Sequence, residues 1–240
     1  MIYEPKGRAL EYSPLACNLA VGCVHKCEYC YGPGAFRVAP ADWPTPRYKK
    51  NAVAEFEKDA VKFAGDPRDI LFSFASDPYM TEESAVTMAQ ILPIAETNRL
   101  RVQVLTKNPA RALEVSGDIL ARNGWKLGTT IIFLSEQLRA EWEPGAPSID
   151  SRLGALARAE DLGIKTWVSI EPVVDVDEAI AAIKAVKPLA DFIKVGKLNH
   201  HALSKEIDWA DFLCRAKDAL GSHPHLIKDD LKKFEKAGPA

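Results

Sequence analysis

Cys23, Cys27 and Cys30 stand close together in the stretch Asn18-Leu-Ala-Val-Gly-Cys-Val-His-Lys-Cys-Glu-Tyr-Cys-Tyr31. Free cysteines seldom gather this tightly without a chemical reason, and thiolates are the ligands of iron-sulfur clusters and of zinc. Spacing alone leaves two ligand sets open. Three thiolates hold three irons of a 4Fe-4S cluster and leave the fourth iron open for a small molecule, or His25 or another side chain completes a closed zinc site. His25 lies two residues from each of two cysteines, and such tight spacing strains simultaneous ligation. The chain has five cysteines, an odd number with three in one loop. That argues against a disulfide framework and for a reducing compartment.

The elements around this loop follow from apolar periodicity. Leu15 to Val21 reads as a buried strand that delivers the cysteines. Gly32-Pro33-Gly34 and the proline-rich stretch Pro40 to Pro46 form a turning connection. From Tyr48 to Ala64 the residues Val53, Phe56, Ala60, Phe63 and Ala64 recur at helical spacing, and Gly65-Asp66-Pro67 stops the helix. Further strands are predicted at Ile70 to Phe74, Val102 to Leu105, Leu127 to Leu134, Thr166 to Ile170 and Phe192 to Val195. They alternate with helices at Ala85 to Ala95, Ala110 to Arg122, Ile149 to Leu162, Ala179 to Val186 and Trp209 to Leu220, with Pro93 marking a kink or boundary in the first of these. Helices between short strands mean parallel pairing through crossovers. Six such strands fall short of the eight in a closed TIM barrel. The expected class is therefore α/β, an open partial (β/α)6 TIM-type barrel, with a doubly wound open sheet as the alternative. A single domain over residues 1–240 is expected, with its core at about 15–200 and a helical closure at about 201–240. Residues 1–14 lead into the first strand or cover a barrel end, and Leu226 to Ala237 supplies a short strand or turn and a charged helix that closes the open side.

In parallel α/β proteins the working residues sit at the carboxyl ends of the strands. The polar residues there form one rim. Cys23, Cys27 and Cys30 follow the first strand, Ser76, Asp77 and Tyr79 the second, and Thr106 and Lys107 the third. Ser135 and Glu136 follow the fourth, Glu171 ends the fifth, and Lys197 and Asn199 follow the sixth.

The spacing Cys23-x3-Cys27-x2-Cys30, with Tyr29 just before the last cysteine, resembles the cluster loop of the radical S-adenosylmethionine superfamily. The fuller phrase with Asn18, Gly22, His25 and Tyr31 resembles a narrower group, the spore photoproduct lyase-like proteins. This resemblance implies a partial barrel, a 4Fe-4S cluster on the three cysteines, and S-adenosylmethionine bound at the open iron. Reductive cleavage would give methionine and a 5'-deoxyadenosyl radical that abstracts hydrogen from a substrate. It also implies a cofactor-binding role for Tyr29, Ser76 and Asp77, the last two beside the S-adenosylmethionine amino group, for Lys107 at its carboxylate and for Ser135 at its ribose. Glu143 with Arg152 resembles the group's strand-four region and reads equally as a structural ion pair. A reducing partner such as flavodoxin or ferredoxin is implied, and nucleic-acid repair or modification is the nearest specific activity. Photoproduct lyases carry a hydrogen-donating cysteine just before the Ser-Asp pair, whereas this chain has Phe74-Ala75. A faithful thymine-dimer lyase is thus not expected. Cys17 is placed about 20 Å from Cys23 along one strand and Cys214 in the core of a late helix, which leaves Tyr31 and Tyr79 as the catalytic candidates for carrying a hydrogen or electron.

Composition sets the remaining bounds. The 240 residues carry a formal net charge of -2, so no overall positive field advertises nucleic acid. No apolar run approaches the roughly 20 residues that span a bilayer, and the N-terminus lacks a signal-like segment. A cytoplasmic protein with no membrane contact is expected. The competing class is a non-catalytic metal-binding protein, holding zinc or an iron-sulfur cluster.

Overall fold

The computed structural model describes residues 1–235. Its strands are β1 (Ile2–Tyr3), β2 (Leu15–Cys17), β3 (Ala20–Val21), β4 (Arg47–Tyr48), β5 (Asp69–Phe72), β6 (Arg101–Leu105), β7 (Lys126–Thr130), β8 (Lys165–Val173), β9 (Phe192–Lys197) and β10 (His225–Ile227). Eight of them form one sheet in the order β1-β2-β5-β6-β7-β8-β9-β10, parallel throughout except for the β1-β2 pair. The helices are α1 (Gly32–Phe36), α2 (Ala52–Lys62), α3 (Glu82–Thr97), α4 (Pro109–Arg122), α5 (Glu136–Trp142), α6 (Ile149–Asp161), α7 (Val176–Val186), α8 (Trp209–Leu220) and α9 (Asp229–Lys232). Among the described residues β1 and β10 do not pair, so the barrel is open as expected, although its sheet has eight strands: the six expected core strands, β2 and β5 to β9, are flanked by β1 and β10.

The crossover helices cover the sheet with apolar stripes. α8 buries Trp209, Phe212, Leu213, Ala216 and Leu220, and α2 buries Ala52, Phe56 and Ala60, each set at helical spacing. A fully buried side chain such as Phe56 contributes about 1.5–3 kcal/mol by leaving water. Inside the sheet, the Trp167 indole lies over Gly128, where a Cβ would come within 2.1 Å of the ring, and its Nε1 donates to Val104 O at 3.0 Å.

Several boundaries differ from the sequence reading for identifiable reasons. The run Leu15 to Val21 splits into β2 and β3 because Asn18 leaves the ladder and its Oδ1 accepts from Phe74 N (2.9 Å) and Ala75 N (3.1 Å). β3 then pairs antiparallel with β4. Pro93 neither ends nor divides α3: it lies on the exposed face while Ile91, Leu92 and Ala95 pack inward. α5 has no predicted counterpart, although Ser135 caps it by accepting from Leu138 N.

The open side is bridged by the N-terminal segment rather than by the C-terminal one alone. After β1 a 3-10 turn (Gly7–Glu11) crosses toward β10, where Arg8 meets Asp230 at 2.9 Å and Glu11 Oε1 accepts from Asp229 N at 2.7 Å. Buried Lys194 on β9 donates to Tyr12 O at 2.7 Å and lies over the Tyr12 and Trp167 rings. The C-terminal segment adds β10 and α9, and residues 236–237 of the helix expected there lie outside the described residues. Among the described residues no helix is long and apolar enough to cross a membrane.

Candidate active site

The carboxyl ends of β5, β6, β8, β9 and β10, the cysteine loop and the N-terminal segment enclose a cavity of about 490 Å³. Cys23, Cys27 and Cys30 all line it and all are free and partly exposed. Backbone contacts fix their loop from several sides. Cys23 N donates to Trp43 O (3.0 Å), Gly22 N to Ala75 O (3.0 Å) and Glu28 N to Trp142 O (2.9 Å). Gly145 N donates to His25 O at 2.9 Å, and His25 Nδ1 donates back to Gly145 O at 3.1 Å. This approach needs a glycine, since a Cβ on Gly145 would stand 2.4 Å from Val24 O.

His25 Nε2 pairs with Asp77 Oδ2 at 3.0 Å. Both ring nitrogens therefore face oxygens, and in this arrangement the imidazole does not turn toward the cysteines to complete a zinc site. Asp77 also accepts from Thr106 Oγ1 (2.6 Å), Lys107 N (2.7 Å) and Tyr79 N (2.9 Å). Burial pushes its carboxyl up, but His25, Thr106 and the Lys107 amide outweigh that and hold it below its ordinary value. Asp77 thus ties the cysteine loop to the ends of β5 and β6.

Lys107 lies at the cavity wall, 3.3 Å from Glu143 Oε1 and over the Tyr29 ring. Glu143 is fully buried, and Arg152, also fully buried, meets its Oε2 at 2.5 Å as an ion pair rather than along a hydrogen-bond direction. The Tyr29 hydroxyl donates to Glu143 as well. Burial raises the Glu143 carboxyl, but Lys107 and Arg152 bring it below its ordinary value; Lys107 is in turn held above its own, with burial opposing and Glu143 and Cys27 prevailing. The structural side of the Glu143-Arg152 reading is thus observed directly: the guanidinium also donates to Thr130 O and Pro147 O and fixes the loop that carries Gly145.

Tyr29, Ser76, Asp77, Lys107 and Tyr31 all border the cavity with the cysteines. Three sequence placements need correction. Tyr79 is fully buried, with its hydroxyl donating to Ser116 Oγ at 2.8 Å, because Asp77 captures its backbone N–H and turns the side chain into the α3–α4 core. Ser135 does not line the cavity; its hydroxyl caps α5, and its N–H donates to Glu178. Cys214 is exposed, not in the core, since it falls between the buried positions Leu213 and Ala216 on the outer side of α8. Cys17 is fully buried on β2, opposite Phe72, and does not border the cavity.

Sequence reading passed over the N-terminal contribution. Tyr3, Lys6, Arg8 and Tyr12 line the cavity, as do Ser169 and Lys228. Glu171, expected at the end of its strand, lies inside β8, which runs on to Val173, and its partners are Tyr12 OH and, at 3.1 Å, Lys228 Nζ. Burial drives the Glu171 carboxyl above its ordinary value against the pull of Lys228 and Tyr12.

Burial also pushes the three thiols up, Cys27 to about 12. A bound metal centre reverses that, because its positive charge favours thiolate. Among the described residues no group of three or more His, Cys, Asp or Glu side chains is arranged to hold a metal ion. The fit to a cluster rests on the donor set: three unpaired soft ligands on one cavity wall, with the Lys107 ammonium near Cys27 to offset an anionic centre.

No protein-family model matches the chain. An uncharacterized protein of Acidianus two-tailed virus is 26% identical over 196 residues, 73% of this chain and 63% of the relative. The chain thus spans a little under two thirds of that relative. An uncharacterized protein of Methanocaldococcus jannaschii is 26% identical over 190 residues, 76% of this chain and 69% of its own length. Among solved structures, a mutant spore photoproduct lyase matches with TM-score 0.71 at 14% identity, over 95% of this chain and 78% of the lyase. Streptococcus suis SuiB bound to S-adenosylmethionine matches with TM-score 0.64 at 15% identity, over 92% of this chain and 51% of SuiB. The chain has the open α/β barrel fold found in radical S-adenosylmethionine enzymes. Spore photoproduct lyase shares that fold.

Proposed function

We propose that the chain is a radical S-adenosylmethionine enzyme in which Cys23, Cys27 and Cys30 hold a 4Fe-4S cluster and S-adenosylmethionine occupies the adjoining cavity. The convergence of three thiols with Tyr29, Ser76 and Lys107 on one barrel mouth carries the reading. When bound, the cluster supplies the electron for reductive cleavage of S-adenosylmethionine to methionine and a 5'-deoxyadenosyl radical. The chain's own residues bind and orient. The Lys107 ammonium takes the S-adenosylmethionine carboxylate, the Tyr29 ring packs beside it, and the Ser76 hydroxyl serves its amino group. Asp77 acts at one remove, because its oxygens are committed to His25, Thr106, Lys107 N and Tyr79 N. Ser135 likewise acts on α5 and not on the ribose. Tyr31, whose hydroxyl donates to Phe74 O at 2.9 Å on the cavity wall, is left as the rim tyrosine for hydrogen or electron transfer.

The substrate is an organic molecule that loses hydrogen to the radical. Nucleic-acid repair or modification is the nearest specific form and draws only on the fold likeness to spore photoproduct lyase. Ala75, fully buried before Ser76, offers no thiol for lyase chemistry. A flavodoxin- or ferredoxin-like reductant in the cytoplasm, and a single domain over 1–240, complete the proposal. Anaerobic reconstitution with iron and sulfide, then reduction in the presence of S-adenosylmethionine, should give brown protein and release 5'-deoxyadenosine. Colourless protein, or full iron content in Cys27→Ala, would refute it.

A further inference from the structure

The cavity has a second pole, built from β8, β9, β10 and the N-terminal segment, that the proposed cofactor chemistry does not use. Glu171 is set into its wall. Gly196 makes the space, since a Cβ there would fall 2.5 Å from Glu171 Cδ, and the carboxylate is answered by Tyr12 OH and by Lys228 Nζ. Cations are nevertheless in excess. Among the described residues five lysines and arginines line the cavity against two carboxylates, Asp77 and Glu171, in a chain whose formal net charge is -2. Lys107, Arg8 and Lys228 have carboxylate partners in Glu143, Asp230 and Glu171. Among the described residues Lys6 and Lys197 have none within 4.0 Å. Lys197 Nζ meets Ser204 Oγ (3.3 Å) and Leu198 O (3.4 Å) and lies over the Trp209 ring at 5.1 Å and the Phe234 ring at 5.8 Å, with no anionic group among them. His200 stands beside Arg8, 3.5 Å from its guanidinium. Lys6 and His200 are exposed at the cavity mouth and Lys197 is half-buried, and positive charge gathered there without carboxylate partners draws anions.

We infer that this pole binds the acidic group, phosphate or carboxylate, of an anionic substrate. Lys6, Lys197 and His200 hold the anion, and the edge-packed rings of Tyr12 and Phe74, with centroids 6.1 Å apart, carry its apolar body. Calling the anion's owner a substrate rests on the proposed enzymatic function; anion binding itself needs neither cluster nor S-adenosylmethionine.

The test titrates the full chain, both cluster-free and reconstituted, with inorganic phosphate and separately with succinate at constant ionic strength, following tyrosine and tryptophan fluorescence. Saturable binding of one or both is expected, with the tighter probe naming the acid type. Lys197→Met should weaken it about tenfold or more, Lys6→Met with Lys197→Met should abolish it, and exposed Lys50→Met should leave it unchanged. Melting curves establish that each variant is folded. No saturable binding by either anion, or equal affinity in the folded double variant, overturns the inference. Anion binding without iron uptake would sink the enzyme reading and leave this one standing, whereas S-adenosylmethionine cleavage without anion binding would do the reverse.

Discussion

A single methyl group at Gly145 tests how the cysteine loop is held. In Gly145→Ala the new Cβ would stand 2.4 Å from Val24 O and 2.9 Å from both His25 Cα and His25 O. These are backbone atoms, so no rotamer change relieves the clash, and the two loops must part. Parting them strains the reciprocal pair Gly145 N to His25 O and His25 Nδ1 to Gly145 O. Each such bond is worth about 1 kcal/mol, and overpacking adds about 1–3 kcal/mol. With both bonds lost the expected cost is therefore about 3–5 kcal/mol. For a chain of this size, about 2–4 °C of Tm is lost per kcal/mol, so Tm should fall by roughly 6–20 °C. Iron bound per chain after reconstitution should fall with it, since His25 lies between two of the proposed ligands, Cys23 and Cys27. Gly154→Ala is the matched control: it sits in α6 with nothing within 4 Å of its Cβ, and helix propensity makes it stabilising by about 0.5–1 kcal/mol. A Gly145→Ala protein with wild-type Tm and iron content would refute the clamp.

Lys107→Ala should weaken S-adenosylmethionine binding by roughly ten- to hundredfold while iron content is kept, as read by equilibrium binding and iron analysis; unchanged affinity returns Lys107 to a purely structural pairing with Glu143. Lys194 is held by burial, and by Lys126 and Lys228, to about 8 against an ordinary 10.5. The folded chain therefore releases this proton before the unfolded chain does, and stability should rise with pH between about 8 and 10.5, a slope that Lys194→Met should flatten in Tm measurements. A Cys17→Ala, Cys214→Ala double variant should retain its full iron content, because neither thiol borders the cavity; loss of iron would make one of them a ligand.

The parallel strands and most crossover helices were legible because their burial is periodic: α8, predicted at Trp209 to Leu220, occupies those residues, and α4 and α6 differ by one residue at one end. The gathering of three cysteines on one cavity wall was legible because their spacing is local. Most of what failed was set by partners distant in sequence, Ser135 being the local exception. Tyr79 looked like a rim residue by its place after β5, yet Asp77 holds its amide and Ser116, on α4, receives its hydroxyl. Ser135 looked like a ribose contact, yet its cap to Leu138 N satisfies it locally, a signal that Ser-Glu before a helical turn could have given. The N-terminal segment seemed mute because Tyr12 gains meaning only from Glu171 and Lys194, more than 150 residues away.

Asp77 shows why a charged residue at a strand end cannot be assigned to a ligand by position alone. A carboxylate removed from water must recover its solvation from nearby donors or lose its charge. Here four protein donors supply that solvation, and they come from three segments: His25 from the cysteine loop, Tyr79 N from its own turn, and Thr106 with Lys107 N from the end of β6. The same four bonds that keep the acid ionised lock the loop bearing three candidate ligands to the strand end bearing Lys107. Lys107 differs in having one carboxylate contact, to Glu143, which Arg152 and Tyr29 also satisfy. An incoming carboxylate can therefore take Lys107 without leaving Glu143 uncompensated, whereas an incoming ammonium would have to displace the loop's own lock to reach Asp77.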